Sequence, residues 1–439
     1  MKNSQNHTST ANKRKSRIIT SIVITLAVII SFVCGYFFNT LIQGKARRNL
    51  NSVLDLIENK GIFVTLNDNG EELTDDELLK LIVDTLLNED EYARYYSKEE
   101  YSALKQQNQG SYSGYGINFL TGSTTIYSVT GNSPAEYAGL RAGDVLVSAK
   151  VGENQATEFA DYLAMNEFFN QNAQASEMVF NVMRLGEIKS FTVVKSDYVA
   201  SYIKYFDSTE AYNFYTSNNK KAERRAYVST EQYNLPQDTV LIKISEFMGD
   251  ADVQFGSAIE YMKEQGKTKL ILDLRGNGGG KMDVLCKIAG YLIYNGGKSS
   301  SPIVYSYGKK SSETFHTTFN KYYTDLRQTV VLCDENTASA SECLIGAMLY
   351  YGQEEKDGNF PIDNLVVCKN SQGEARNYGK GIMQTTYELY SGEAVKFTTA
   401  KIYQPDNVTC IHGVGLRPSN ELNAVDKSEA VKRALEILN

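Results

Sequence analysis

Leu270-Ile271-Leu272-Asp273-Leu274-Arg275-Gly276-Asn277-Gly278-Gly279-Gly280 is an apolar run that passes directly into a glycine cluster. Such a run, with little polar alternation, predicts a strand covered on both faces. The residues that follow predict a helix, because Met282, Leu285, Ile288, Ala289, Leu292 and Ile293 fall on one face. Glycine at a strand-to-helix turn lets backbone N–H groups come close to an anionic or developing negative oxygen. A tight structural turn is the plainer alternative. Phosphate binding fails on spacing. Lys281 is followed by Met282 rather than Ser or Thr, Arg275 stands where a Walker-type loop needs its first glycine, and Lys281 stands where a dinucleotide fingerprint needs its last.

Outward from this stretch the pattern repeats. Thr239 to Ile244, Leu270 to Leu274, Val330 to Cys333 and Asn364 to Cys368 read as buried strands, and Phe255 to Gln265 reads as a helix between the first two. Alternating strand and helix predicts an α/β fold with a layered core over residues 198–439. Thr337-Ala338-Ser339-Ala340-Ser341-Glu342 follows one of these strands and precedes a helix containing Cys343, Ala347, Met348 and Tyr351. Ser339 there is either an N-cap or a serine projecting from a strand end, with the Ala340 N–H beside it. Ser341 is the better cap of the two, which leaves Ser339 free.

A serine hydroxyl is a weak nucleophile without a base. Histidine is scarce, with only His7, His316 and His412 in the chain. A lysine serves as base when burial depresses its pKa. Lys380, between Gly379 and Gly381 and four residues before Gln384, is the candidate. Three histidines make neither a zincin motif nor a three-histidine metal site, and the reading calls for no metal and no organic cofactor.

The chain of 439 residues carries net charge −7, and its basic tail of Lys2, Lys13, Arg14, Lys15 and Arg17 holds no acid, so the remainder is more acidic still. Nucleic acid is excluded as a partner on that balance. Ile18 to Phe38 is an uncharged apolar run of the length that spans a bilayer as a helix. With basic residues 1–17 ahead of it, the tail is expected in the cytoplasm and everything after the span outside the cell. An uncleaved anchor is expected over a removed signal, since no small-residue cleavage site follows. Cys34 lies in the span, whereas Cys286, Cys333, Cys343, Cys368 and Cys410 lie beyond it without a C-x-x-C pair. They read as core thiols, with a bridge between Cys333 and Cys343 left open.

After the span, residues 39–110 form an N-terminal segment with helical spacing at Ala46 to Glu58 and Asp75 to Asn88. Gln106 to Ser113 lacks apolar periodicity and reads as a boundary. Residues 111–197 then form a compact unit with strand-like stretches at Gly116 to Phe119, Thr125 to Val129, Val145 to Ala149, Met178 to Met183 and Phe191 to Val194. Gly131-Asn132-Ser133-Pro134-Ala135 and Ala138-Gly139-Leu140-x-x-Gly143-Asp144 frame a short helix and the turn after it. This unit resembles a PDZ domain. The resemblance makes Gly114, Tyr115, Gly116 and Ile117 the loop that cradles a peptide carboxylate, beside a strand edge that takes an extended chain.

The three chemistry-bearing segments together resemble the C-terminal processing peptidases, tail-specific serine proteases with a Ser-Lys dyad. Their L-D-L-R-x-N-x-G-G matches Leu272 to Gly280, S-A-S-E matches Ser339 to Glu342, and G-K-G-x-x-Q matches Gly379 to Gln384. The resemblance covers most of the chain after the span. It implies a peptidase core with crotonase- or ClpP-like strand–helix repeats, an inserted PDZ-like domain, and protein or peptide substrates with accessible C-termini. It makes Ser339 the nucleophile, Lys380 the general base, Gln384 the residue that orients Lys380, and Gly279, Gly280 and Ala340 the oxyanion hole. The distance in sequence from Ser339 to Lys380 exceeds the family pattern, the excess lying in the polar segment Gln353 to Asn364. A cell-surface peptide-binding module on the same scaffold is the competing reading, and self-association into a homo-oligomer stays open.

Overall fold

The computed structural model describes residues 73–120, 122–216, 221–226, 233–294, 298–319, 321–326, 328–354 and 364–439. The basic tail, the apolar run Ile18 to Phe38, the helix expected at Ala46 to Glu58 and most of the Gln353 to Asn364 segment lie outside these residues. Among the described residues no helix is long and apolar enough to cross a membrane.

The larger part of the fold, residues 200–439, is organised by an eight-stranded sheet. Its order is Ala222–Ala226, Ala211–Thr216, Ile203–Phe206, Thr239–Ile244, Lys269–Asp273, Gln328–Cys333, Leu365–Cys368 and Ala424–Val425. The strands from Thr239–Ile244 onward run parallel, while those before it pair antiparallel. Parallel neighbours need a crossover, and the helices Ala251–Glu264, Met282–Leu292 and Ala340–Glu354 supply the first ones.

Side-chain alternation divides each central strand between two cores. Leu270, Leu272, Val331 and Cys333 face the helices Ala251–Glu264, Met282–Leu292 and Ala340–Glu354. Ile271, Val330, Leu332 and Val366 face Ala430, Ala434 and Leu438 of the last helix, Ala430–Leu438. All eight strand residues are fully buried. Each such side chain contributes roughly 1.5–3 kcal/mol relative to exposure, which is why the strands read as continuous apolar runs. The carboxyl ends of Lys269–Asp273 and Gln328–Cys333 come out side by side, and both segments singled out by sequence continue from there.

A second sheet orders Arg94–Tyr96, Ala394–Tyr403, Pro302–Gly308 and Ser312–His316, with Ile382–Glu388 also paired along Ala394–Tyr403. It carries the chain that follows Lys380. Residues 111–199 form a β unit with its own core of Ile126, Leu146, Met178, Phe180 and Val182. The chain enters this unit on Ser111–Gly114 and leaves on Ser196–Val199, and these two strands pair with each other. The helix Tyr162–Gln171, capped by Asp161, is an element the sequence reading did not contain.

The expected boundary at Gln106 to Ser113 falls where one element ends and the next begins. The helix Lys98–Asn108 runs into it and the strand Ser111–Gly114 begins within it. That helix buries none of its residues, so it shows no apolar period, and it is held at its start by a capping box between Ser97 and Glu100. The Cys333–Cys343 bridge is also settled. Both are buried free thiols.

Candidate active site

The glycine loop is shaped by Asn277. Its side-chain amide donates to the Ile244 carbonyl at 2.9 Å, its Oδ1 accepts the Gly279 N–H at 2.9 Å, and its own carbonyl accepts Ala338 N–H at 3.0 Å and Ser341 Oγ at 3.0 Å. One fully buried residue, through side chain and carbonyl together, thus ties three strand ends together. Below it, Asp273 is buried but charged. Burial works against its ionisation, yet Arg275, bonded to both carboxylate oxygens at 2.9 and 2.7 Å, holds it below the usual carboxylate range.

Gly279 and Gly280 are required as glycines. At Gly279, with φ +105°, a Cβ would stand 2.8 Å from Ser339 Cβ and 2.9 Å from the Ala340 nitrogen. At Gly280, with φ +141°, it would stand 2.4 Å from the Phe247 carbonyl oxygen. Phe247 grips the loop, donating its N–H to the Gly279 carbonyl at 2.9 Å and accepting the Lys281 N–H at 2.8 Å. The Gly280 N–H between these bonds makes no backbone hydrogen bond.

Ser339 immediately precedes the helix Ala340–Glu354 and has φ +57°, a left-handed conformation uncommon for a residue with a side chain. Half of a capping box forms: the Glu342 carboxylate accepts the Ser339 N–H at 2.9 Å, while the Ser339 hydroxyl makes no return bond to the first turn. The hydroxyl is therefore free. The N–H of Ala340, first in its helix, has no intrahelical acceptor. Ser341 does not cap the helix as its position led the sequence reading to expect. Its hydroxyl points inward to Asn277.

Lys380 is joined to this group through Glu342. The same carboxylate accepts the N–H of Gly379 at 2.8 Å and of Lys380 at 2.8 Å. Glu342 is fully buried, and burial raises its pKa against the pull of those three N–H groups and of the Lys380 charge. Lys380 is half-buried. Its pKa is lowered by desolvation first and by repulsion from Lys396 second, opposed by Glu91, Glu342 and Asp90. Its Nζ sits over the ring of Tyr92, 4.3 Å from the centroid, and makes no hydrogen bond to Ser339 Oγ. Gln384 follows on the strand Ile382–Glu388, where its amide donates to Thr398 Oγ1 at 3.0 Å and its side chain makes no hydrogen bond with Lys380.

A cleft of about 1510 Å³ separates the β unit from the sheet. Gly114, Tyr115, Gly116 and Ile117 line one wall, and Arg275, Gly276 and Asn336 line the other. The structure thus gathers Ser339, Ala340 and Gly279 in direct contact, brings Lys380 to them by its backbone, and sets residues 114–117 across a cleft from the loops that lead to them.

The sequence reading missed Glu342, Asn277, Phe247 and Tyr92 as parts of this arrangement. Only Asn277, an isolated amide inside the glycine run, offered a local signal.

The family model described as "Peptidase family S41" matches residues 238–355 and 370–422, the two stretches that carry the serine and the lysine. A "Probable CtpA-like serine protease" of Staphylococcus aureus (strain COL) is 26% identical over 410 residues, covering 92% of this chain and 71% of that protein. A protein of the same name from Staphylococcus epidermidis is 26% identical over 365 residues, covering 81% and 63%. A solved structure titled as a photosystem II D1 C-terminal processing protease is 18% identical, with TM-score 0.45, over 81% of this chain and 85% of that one. Over its serine- and lysine-bearing stretches the chain matches peptidase family S41, and it is a serine-type peptidase similar to the CtpA-like proteases.

Proposed function

We propose that the protein is a membrane-anchored endopeptidase, its catalytic half outside the cytoplasm, that cleaves through a Ser339–Lys380 dyad. The observation that carries this reading is the Glu342 carboxylate, which accepts the backbone N–H of both Ser339 and Lys380 and so fixes their two loops to one point. Neutral Lys380 takes the Ser339 hydroxyl proton as Oγ bonds to the peptide carbonyl carbon. The Gly280 and Ala340 N–H groups, with Gly279 beside them, receive the oxyanion. The C–N bond then breaks, Lys380 returns the proton to the leaving amine, and water hydrolyses the Ser339 ester.

Substrate enters as an extended C-terminal segment. The strand Ile117–Phe119 is bonded on one side only, to Ile126–Val129, and its other edge has no strand partner among the described residues. Such an edge accepts a further strand, with Gly114 to Gly116 at its start to meet a carboxylate. That supports the PDZ-like role of the β unit. Gln384 orients Lys380 once its amide turns from Thr398.

Full-length protein with Ser339→Ala or Lys380→Ala, assayed on fluorogenic casein, tests the mechanism. Loss of at least about a thousandfold in either folded variant is expected. Retained turnover in either would remove the dyad.

A further inference from the structure

The turn that precedes the strand Arg94–Tyr96 is built onto the lysine's own sheet. Arg94, Tyr95 and Tyr96 pair with Lys396, Val395 and Ala394, and the Asp90 carboxylate accepts Thr398 N–H at 2.6 Å and Thr398 Oγ1 at 3.0 Å. Thr398 is also the acceptor of the Gln384 amide. Between these anchors lies Tyr92, whose hydroxyl meets that of Tyr378 at 3.3 Å, while Tyr378 N–H donates to the Thr337 carbonyl on the serine's loop. The aromatic ring is therefore held from both sides, and Lys380 Nζ rests on its face, 4.3 Å from the centroid.

We infer that Tyr92 is a positioning residue that holds the protonated Lys380 off Ser339 and releases it when the proton leaves. This rests on the dyad reading above. A ring face attracts an ammonium through its quadrupole and has no such hold on a neutral amine. Loss of the proton to solvent therefore does two things at once: it creates the base and frees its side chain to reach Oγ.

The other charged groups around Nζ divide by element. Lys396, on the strand Ala394–Tyr403, disfavours the charged form, whereas Glu91 and Asp90 on the tyrosine's turn and Glu342 on the serine's helix favour it. Tyr92 stays protonated through the working range, since burial first, and then hydrogen bonds with Tyr378 and Glu91, push its phenol upward. The ring adds to the groups that retain the proton, so its removal makes the base available at lower pH.

The test compares Tyr92→Leu, Tyr92→Phe and Lys380→Ala with wild type in the full-length protein, reading kcat/KM on fluorogenic casein and the rate of Ser339 acylation by an alkyl fluorophosphonate across pH. Tyr92→Leu is expected to move the acidic limb of both profiles down by roughly one pH unit, the size of a partly desolvated cation–π contact. Tyr92→Phe, which keeps the ring face, retains the wild-type limb. If Tyr92→Leu does not fold, Tyr92→Met serves in its place. A limb unmoved by Leu or Met, or moved equally by Phe, overturns the inference while leaving the dyad intact. Full turnover in Lys380→Ala overturns both.

Discussion

The Glu342 carboxylate lies 2.8 Å from the Lys380 backbone nitrogen and 2.9 Å from that of Ser339, so one buried side chain sets the separation of the two loops. Glu342→Ala leaves three buried N–H groups without their acceptor. Charge-assisted bonds of this kind are worth about 1.5–3 kcal/mol each, and the variant is expected to lose about 3 kcal/mol or more of stability with most of its activity. Glu342→Gln, which keeps one acceptor oxygen, is expected to fall between it and wild type. Thermal unfolding and casein turnover measured together check the order.

Lys380 has a pKa below that of an ordinary lysine, and in the proposed dyad its neutral form is the base. Activity is therefore expected to rise as pH rises through that lowered value. Lys380→Arg, always charged, is expected to be inactive at every pH. The same shift acts on stability with a definite sign. Between the lowered value and the ordinary lysine value the unfolded chain binds more protons than the folded one, so stability rises with pH over that window. Denaturant titrations at several pH values should show this rise in wild type and a flatter profile in Lys380→Met.

Gly279→Ala forces a Cβ against Ser339 Cβ and the Ala340 nitrogen, with a strained φ as well. A loss of about a hundredfold or more in kcat is expected, as for removal of an oxyanion donor, with a stability cost of about 1–3 kcal/mol. An unchanged KM alongside the lost kcat would place the damage at the reacting centre.

The β unit is fastened to the sheet by Glu136, whose carboxylate meets Lys204 Nζ and Asn213 Nδ2 and accepts the Asn132 N–H at 2.8 Å. Tyr137 next to it carries the Arg225 guanidinium on its ring at 4.0 Å. Glu136→Ala strands partly buried polar partners and is expected to destabilise this junction by about 2–4 kcal/mol. Hydrogen exchange should quicken first in Ser196–Val199 and Ile203–Phe206. Uniform exchange change across the chain would argue against a local fastening.

What could be read in advance followed from burial. Thr239–Ile244, Lys269–Asp273 and Gln328–Cys333 are covered on both faces and showed as apolar runs. Lys98–Asn108 buries nothing, so only Ser97 and Glu100, a capping pair three residues apart, marked it. Ser339 was legible because its strand and helix were. Its left-handed backbone and its unused hydroxyl depend on Gly279 and Glu342 and have no local signature. Tyr92 was illegible for a different reason. Nothing near it in sequence refers to Lys380, and only the pairing of Arg94–Tyr96 with Ala394–Tyr403 brings the two together.

The pairing of Ser111–Gly114 with Ser196–Val199 has a consequence for how such a chain changes over time. The β unit leaves and rejoins the main fold at one place, as a cassette between two adjacent clips. Its interior can be lengthened, resurfaced or exchanged without altering the register of any strand that carries the serine or the lysine. If the β unit selects substrate as proposed, selection and cutting are thereby open to separate variation.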